Sequence, residues 1–279
     1  MISTAPAKIN LTLEVLKKRA DGFHDIRSIV QTVSFYDKLK ITASPHMEIK
    51  CNLPEWSLNK SLVNKAINLL RNSAAGNQGA TIEIEKHIPL SSGLGGDSSD
   101  AAAVLRGLNL LWNLKLSQRD LLGYGAQLGS DVSLFLYGGT MLMEGKGEII
   151  RPLKPMPHMS VILLLPPVKR PENKTQQMYA QVSARQYTSG KNTQDFINML
   201  EGKAAAPGLS LYNVFDDVGV RFFPGLTEYR QKFLAAGAQE VHLAGSGPTL
   251  YSAMRNETKA NDIHEKLIKM KLEAYLTEF

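Results

Sequence analysis

The segment that most constrains this chain is Leu90-Ser-Ser-Gly-Leu-Gly-Gly-Asp-Ser-Ser-Asp100, set between two patterned stretches. Upstream, Thr81 to Ile88 alternates as a strand does, with Ile82 and Ile84 on one side, ahead of Pro89. Downstream, Ala101, Val104, Leu105, Leu108, Leu111 and Trp112 recur at the offsets of one helix face. Strand, glycine turn and helix in that order suit an anion. Glycine lets backbone N–H groups come close, and the helix start offers free donors and the positive end of its dipole. Gly93, Gly95 and Gly96 put three glycines in four positions, more than a helix cap at Asp97 or Ser98 requires, so phosphate binding is favoured over a plain connection. The hydroxyls of Ser98 and Ser99 can bond a phosphate oxygen or a Mg²⁺ ion. No Gly-Lys-Ser/Thr follows and the dinucleotide glycine spacing is missing, so the loop belongs to neither of those motifs.

Around this centre the chain reads as alternating strands and helices. Ile9, Leu11, Leu13 and Val15 form one face of an early strand, and Lys8, Asn10, Thr12 and Glu14 the other, the face expected to meet solvent. Asp21-Gly22 marks a turn and Ile29 to Phe35 a second extended stretch. Leu62, Val63, Ala66, Ile67 and Leu70 predict a helix that breaks over Asn72 to Gly79. Ser117-Gln-Arg-Asp120 resembles a capping box and opens another helix. Asp131, in Leu128-Gly-Ser-Asp131, is expected at a helix–strand junction, where a lone Asp is more often a turn residue than a catalyst. The proline-studded run Arg151 to His158 is the expected boundary between two domains, residues 1–155 and 156–279. Beyond it, Val161 to Leu165 reads as a buried strand and Phe196 to Leu200 lies in a helix. Ala238 to Leu243 and Thr249 to Met254 read as strands joined by Gly245-Ser-Gly-Pro248, and Ile263, Leu267 and Met270 give a last helix. The class is α+β.

Composition narrows the function classes. An apolar fraction of 43% with 21% charged residues is that of an ordinary globular chain. The net charge of +6 is spread without a basic block, which fits anionic small molecules and lends little to nucleic-acid binding. One cysteine, Cys51, allows no internal disulfide, and the histidines lack metal-ligand spacing. Val161 to Val168, the longest apolar run, falls far short of the ~20 residues that span a bilayer. Lys8 and Asn10 interrupt the only early apolar stretch, so no secretory leader is expected. The expectation is a cytoplasmic protein with no membrane or nucleic-acid partner. Phosphate loop, strand lysine and turn aspartate together are what phosphoryl transfer needs.

Three segments make the resemblance specific. Ala5-Pro-Ala-Lys-Ile-Asn-Leu11, Pro89-Leu-Ser-Ser-Gly-Leu-Gly-Gly-Asp-Ser-Ser-Asp-Ala-Ala102 and Leu243-Ala-Gly-Ser-Gly-Pro-Thr249 are similar, in order, to the three motifs of the GHMP kinases. Gly22-Phe-His24 and Gly129-Ser-Asp131 resemble the members that act on a cytidine-diphosphate-linked methylerythritol. The resemblance implies a ribosomal-protein-S5-like N-terminal domain and a ferredoxin-like C-terminal domain with a cleft between them. It implies ATP as phosphoryl donor, Mg²⁺ with Ser98 as its candidate hydroxyl, and transfer to the 2-hydroxyl of the methylerythritol in the non-mevalonate route to isoprenoid precursors. Asp131 would be the general base, beside Lys8, and a cation within ~4–6 Å typically lowers an Asp pKa by 1–3 units. The ATP loop would comprise Pro89, Leu90, Ser91, Ser92, Gly93, Leu94, Gly95, Gly96, Asp97, Ser98 and Ser99, with Lys86 near the adenine side. Asn10, Phe23, His24, Thr175 and Tyr179 would hold the cytidine substrate, and Gly245, Ser246, Gly247 and Thr249 would close over it. A monomer or weak homodimer is implied.

The chain departs from the family pattern at several places. Asp97 stands where glycine is usual, and a carboxylate there must face solvent, cap a helix or act through the metal to avoid repelling phosphate. Ser61-Leu-Val63 replaces the common Asn-Leu-Val, Phe23 replaces Tyr, and Ser130 and Ser133 replace Ala and Pro. Two other readings are a GHMP kinase acting on mevalonate derivatives, homoserine or a sugar, and a nucleotide sensor without chemistry. An RNA-binding domain draws only on the charge and lacks interleaved aromatics.

Overall fold

The computed structural model describes residues 1–76, 78–203 and 210–279. Packing divides the chain into two compact units: Met1–Ala7, Phe35–Leu90 and Gly95–Gly138 form the first, and Lys8–Ser34, Ser91–Leu94 and Gly139–Phe279 the second. The units therefore interleave in sequence across position 155. Two long strands, β1 (Ile2–Lys18) and β2 (His24–Ala43), contribute residues to both.

The first unit goes on with β3 (Met47–Cys51), α1 (Leu62–Leu70), β4 (Ala80–Glu85), α2 (Gly96–Leu111), α3 (Gln118–Leu128) and α4 (Ser130–Tyr137). The second half of β2 runs antiparallel to β4, from Lys38 opposite Glu85 to Ala43 opposite Ala80, and β3 lies parallel to β4. The helical periodicities are met. Val63, Ala66, Ile67 and Leu70 of α1 are buried, as are Ala101 to Leu105 and Leu108 of α2. The expected break after α1 begins with a π-helical turn, Arg71–Ala75, before Gly76; position 77 of that break lies outside the described residues. Ser117 and Asp120 form the expected capping box at the start of α3.

The second unit adds β5 (Thr140–Gly145), β6 (Ile149–Pro152), β7 (Ser160–Leu164), α5 (Lys174–Ala180), α6 (Lys191–Leu200), β8 (Tyr212–Asn213), α7 (Phe215–Phe222), α8 (Leu226–Ala235), β9 (His242–Leu243), β10 (Leu250–Met254), α9 (Glu257–Lys269) and β11 (Ala274–Glu278). The first half of β2 pairs antiparallel with β5, which pairs with β6, and β1 runs parallel to β8 at Thr12 and Leu13. A separate antiparallel sheet has the order β11-β7-β10-β9. Its apolar face meets α7, α8 and α9 in a core that includes Ile162, Leu164, Phe215, Phe233, Ile263 and Leu267. The strand expected over Ala238 to Leu243 is confined to its last two residues. Asp216 shapes that end: its carboxylate takes the Leu243 N–H at 2.7 Å and His242 Nδ1 at 2.7 Å.

The polar face of β1 departs most from expectation. Lys8, Asn10, Thr12 and Glu14 are all buried. Alternation shows that a strand has two unlike faces; it does not say that the polar one meets water. Each group on this face finds partners inside the second unit. Asn10 donates to Ser28 Oγ at 2.9 Å, and Thr12 Oγ1 accepts from the Ile29 N–H at 2.9 Å. Glu14 caps the start of α6, taking the Thr193 N–H at 2.8 Å and the Asn192 side-chain amide at 2.9 Å. A buried donor left without its acceptor costs about 1–3 kcal/mol. Glu14→Ala is therefore expected to lower unfolding free energy by about that amount. Urea titration reads the loss, and faster hydrogen exchange at the Thr193 amide places it at α6.

Candidate active site

In the second unit, the glycine loop, the start of β1 and the turn before β10 converge. The Lys8 N–H donates to Leu94 O at 2.9 Å, and the Thr249 N–H to Ser92 O at 3.2 Å. Lys8 Nζ reaches Asn10 Oδ1 at 2.8 Å. Gly245 has φ +56, and a Cβ there would lie 2.9 Å from Lys8 Nζ and 3.0 Å from Gly93 O. Gly93 has φ +92, and its Cβ would lie 3.0 Å from both Gly247 N and Gly247 O. Glycine is required at both positions, for backbone conformation and for the closeness of the neighbouring strand. Asn213 fixes the turn by donating to Leu243 O at 2.8 Å and Gly245 O at 2.9 Å. Tyr251, fully buried, donates to Asn10 O at 2.6 Å. Thr249 is buried beneath the loop, and its Oγ1 has no hydrogen-bond partner among the described residues.

The expected substrate-side residues lie in the same unit. Thr175 Oγ1 is 2.9 Å from Ser246 Oγ. The His24 ring stacks on Tyr179 at 5.4 Å and 19°, and Tyr187 meets it edge-on at 6.3 Å. Burial, with Lys18 nearby, holds His24 below the usual imidazole pKa, so near neutrality it is an uncharged ring with a donor and an acceptor. Phe23 is 56% exposed, with Lys146 Nζ 4.8 Å above its ring.

In the first unit the loop enters α2 through Gly95, left-handed at φ 78, ψ 19. Lys86, expected near the adenine side, is drawn beneath this helix start. Its Nζ donates to Asp100 at 2.7 Å and also to Asp37, which further accepts the N–H groups of His87 at 2.5 Å and Ile88 at 2.7 Å. Burial opposes the Lys86 ammonium, but its contacts with Asp100 and Asp37 outweigh that and raise its pKa. Burial lifts Asp100 to about 8, with Asp37 pushing the same way against Lys86. One ammonium cannot balance two buried carboxylates, and burial favours a proton on Asp100.

Asp97 resolves its own departure. Its carboxylate accepts from Ser61 Oγ and, at 2.9 Å, from the Leu62 N–H, so it caps α1. The two substitutions at 61 and 97 are partners, and the charge sits against the starts of α1 and α2, where dipoles favour it. Ser98 is half-buried, whereas Ser99 is fully buried with its Oγ unpartnered among the described residues. Asp131 lies in the first turn of α4, following Gly129, so the junction joins two helices instead of a helix and a strand. The sequence reading missed Asp37, Tyr251 and Asn213, whose partners are distant in the chain. Asp100 and Glu14 were in view as motif and strand residues, without signal for their contacts.

Comparison with known proteins identifies the family. The family model described as GHMP kinases N terminal domain matches residues 61–139. A 4-diphosphocytidyl-2-C-methyl-D-erythritol kinase of Dehalococcoides mccartyi is 41% identical over 98% of this chain and 95% of its own length. One from Geobacillus thermodenitrificans is 35% identical over 94% and 91%. The chain belongs to the 4-diphosphocytidyl-2-C-methyl-D-erythritol kinase family, within the GHMP kinases. It is a small-molecule kinase. A crystal structure of 4-(cytidine 5'-diphospho)-2C-methyl-D-erythritol kinase superposes with TM-score 0.84 at 28% identity, covering 100% of this chain and 98% of that one. Homoserine kinase from Cytophaga hutchinsonii shares the fold, with TM-score 0.74 at 19% identity over 100% and 93%.

Two outcomes test the charged groups of the first unit. Asp97→Ala leaves the Leu62 N–H without its acceptor and is expected to cost about 1–2 kcal/mol, read by urea titration, with faster amide exchange at the start of α1. Asp100 keeps a proton when folded that the unfolded chain releases near 3.8. Its contribution to stability is therefore complete below pH 3.8 and lost as pH climbs toward about 8. Asp100→Asn should flatten unfolding free energy across that range, and an unchanged slope would mean that Asp100 is ionised in the fold.

Proposed function

We infer that this kinase transfers the γ-phosphoryl group of ATP to the 2-hydroxyl of 4-diphosphocytidyl-2-C-methyl-D-erythritol, giving the 2-phosphate and ADP in the non-mevalonate route to isoprenoid precursors. The observation that carries the reading is near-complete alignment with kinases bearing that name, joined to a buried Lys8–Asn10 pair against the glycine loop. Asp131, in the first turn of α4, accepts the hydroxyl proton. Lys8 stabilises the negative charge that develops on transfer. Its amine is pre-oriented by Asn10, so little reorganisation is needed as that charge grows.

The Gly93 to Ser99 backbone receives the ATP phosphates, and Lys86 keeps the start of α2 in place through Asp37 and Asp100. His24, Tyr179 and Phe23 offer ring faces and one polar edge to cytosine, with Asn10 and Thr175 reaching polar atoms of the same substrate. The turn Gly245 to Thr249 closes over it. Mg²⁺ fits as a partner of the nucleotide. No group of three His, Cys, Asp or Glu side chains among the described residues forms a metal cage, and Mg²⁺ bound through phosphates and water needs few protein ligands. Ser98 would supply a hydroxyl, since the Asp97 carboxylate is occupied by Ser61 and Leu62. When bound, the ion neutralises charge on the phosphate oxygens.

The same reading divides the chain into an S5-like domain over 1–155 and a ferredoxin-like domain over 156–279, acting in the cytoplasm on a small molecule without nucleic acid. No helix among the described residues is long and apolar enough to cross a membrane. A coupled ADP-release assay with the cytidine substrate, mevalonate and homoserine decides the acceptor, and turnover with homoserine or mevalonate alone would replace this reading. Asp131→Ala is expected to bind ATP normally and lose turnover by about three orders of magnitude or more.

A further inference from the structure

Asp216, in the first turn of α7, and His242, on β9, form a largely buried ion pair, with Asp216 Oδ2 2.7 Å from His242 Nδ1. The other ring nitrogen reaches Glu240 at 3.5 Å. Burial opposes a charge on His242, but its hydrogen bonds to Asp216 and Glu240 outweigh it and lift the imidazole to about 9, so the ring is a cation at neutral pH.

Two routes of contact lead from this pair, and both end at Lys8. The first is backbone. Asp216 Oδ1 accepts the Leu243 N–H at 2.7 Å; beyond it the Ala244 N–H donates to Thr249 O and the Gly247 N–H to Ala244 O, both at 2.9 Å, closing the turn. Gly245 in that turn is the residue whose Cβ would meet Lys8 Nζ at 2.9 Å. The second route runs through rings. His242 lies 5.9 Å from Tyr251, tilted at 41°, and the Tyr251 hydroxyl donates to Asn10 O at 2.6 Å. Burial, with Asp216 and Glu240 nearby, holds the Tyr251 pKa well above its usual value, so this donor keeps its proton. Asn10 Oδ1 in turn accepts from Lys8 Nζ at 2.8 Å. An ion pair of this kind is ordinarily structural; here both of its routes converge on one amine.

We propose that Asp216, with His242 as its partner, is a positioning residue for phosphoryl transfer: it fixes the direction of the Lys8 amine through the Leu243–Gly245 turn and through Tyr251. The proposal rests on the role given to Lys8 above and not on the identity of the acceptor. Lys8 acts on charge that appears only as the phosphoryl group moves, so a misdirected amine slows that step without weakening the binding of either substrate.

Steady-state kinetics by ADP release, run beside urea titrations, test this. Asp216→Ala is expected to lower kcat about tenfold or more, while KM for ATP and for the acceptor stays within about twofold. Asp216→Asn keeps an oxygen for the Leu243 N–H and should recover most of that loss. His242→Leu should lower kcat in the same way, and the double variant should be no slower than the slower single one. In a Lys8→Met chain, whose residual turnover is the baseline, adding Asp216→Ala should change kcat by less than about twofold. Lower stability with kcat intact, or a further tenfold loss on top of Lys8→Met, would overturn the positioning role alone. Undiminished turnover in Lys8→Met would instead overturn the role of Lys8, and with it the reading beneath the proposal.

Discussion

A lysine amine held against an asparagine carbonyl on an interior strand is the contact from which the second unit's site is built. Lys8 and Asn10 lie on β1 with both strand faces covered, so neither side chain can swing into solvent. Gly245 lies against both, with no space for a Cβ between its backbone and Lys8 Nζ, and Ser28 Oγ accepts from the Asn10 amide. A charge so confined has its direction set before any ligand arrives, which is the condition under which electrostatics lower a barrier most. Tyr251 extends this rigidity from the sheet by holding the Asn10 carbonyl, and Asn213 does so from β8 by holding the turn.

The first unit meets the same need for order with charge. The Lys86, Asp37 and Asp100 group lies under the start of α2, with one amine bonded to both buried carboxyls. Removing one member of such a group leaves another uncompensated, so its value is positional as much as energetic. The helix that receives the loop is thereby anchored to β2 and to the end of β4.

Much of this was legible in the sequence where the signal is local. The glycine spacing before Ala101, the α1 and α2 periodicities and the Ser117–Asp120 box each depend on residues within a few positions of one another. What was hidden depends on chain-distant partners. Nothing near Asp37 announces that a lysine 49 positions later will find it. The polar side of β1 looked like a wetted face because alternation is blind to what covers a strand. Asp131 gave its neighbourhood but not its setting, since Gly129 permits a second helix as readily as a strand.

The bond between Ser61 and Asp97 has a consequence for how such a loop can change over time. A glycine at 97 would leave the Leu62 N–H without its acceptor, while Ser61 Oγ would still cap α1 at the Val63 N–H. Position 97 therefore cannot drift back to the commoner glycine without losing the Leu62 contact. A designer who grafts that glycine must supply the Leu62 amide with another acceptor.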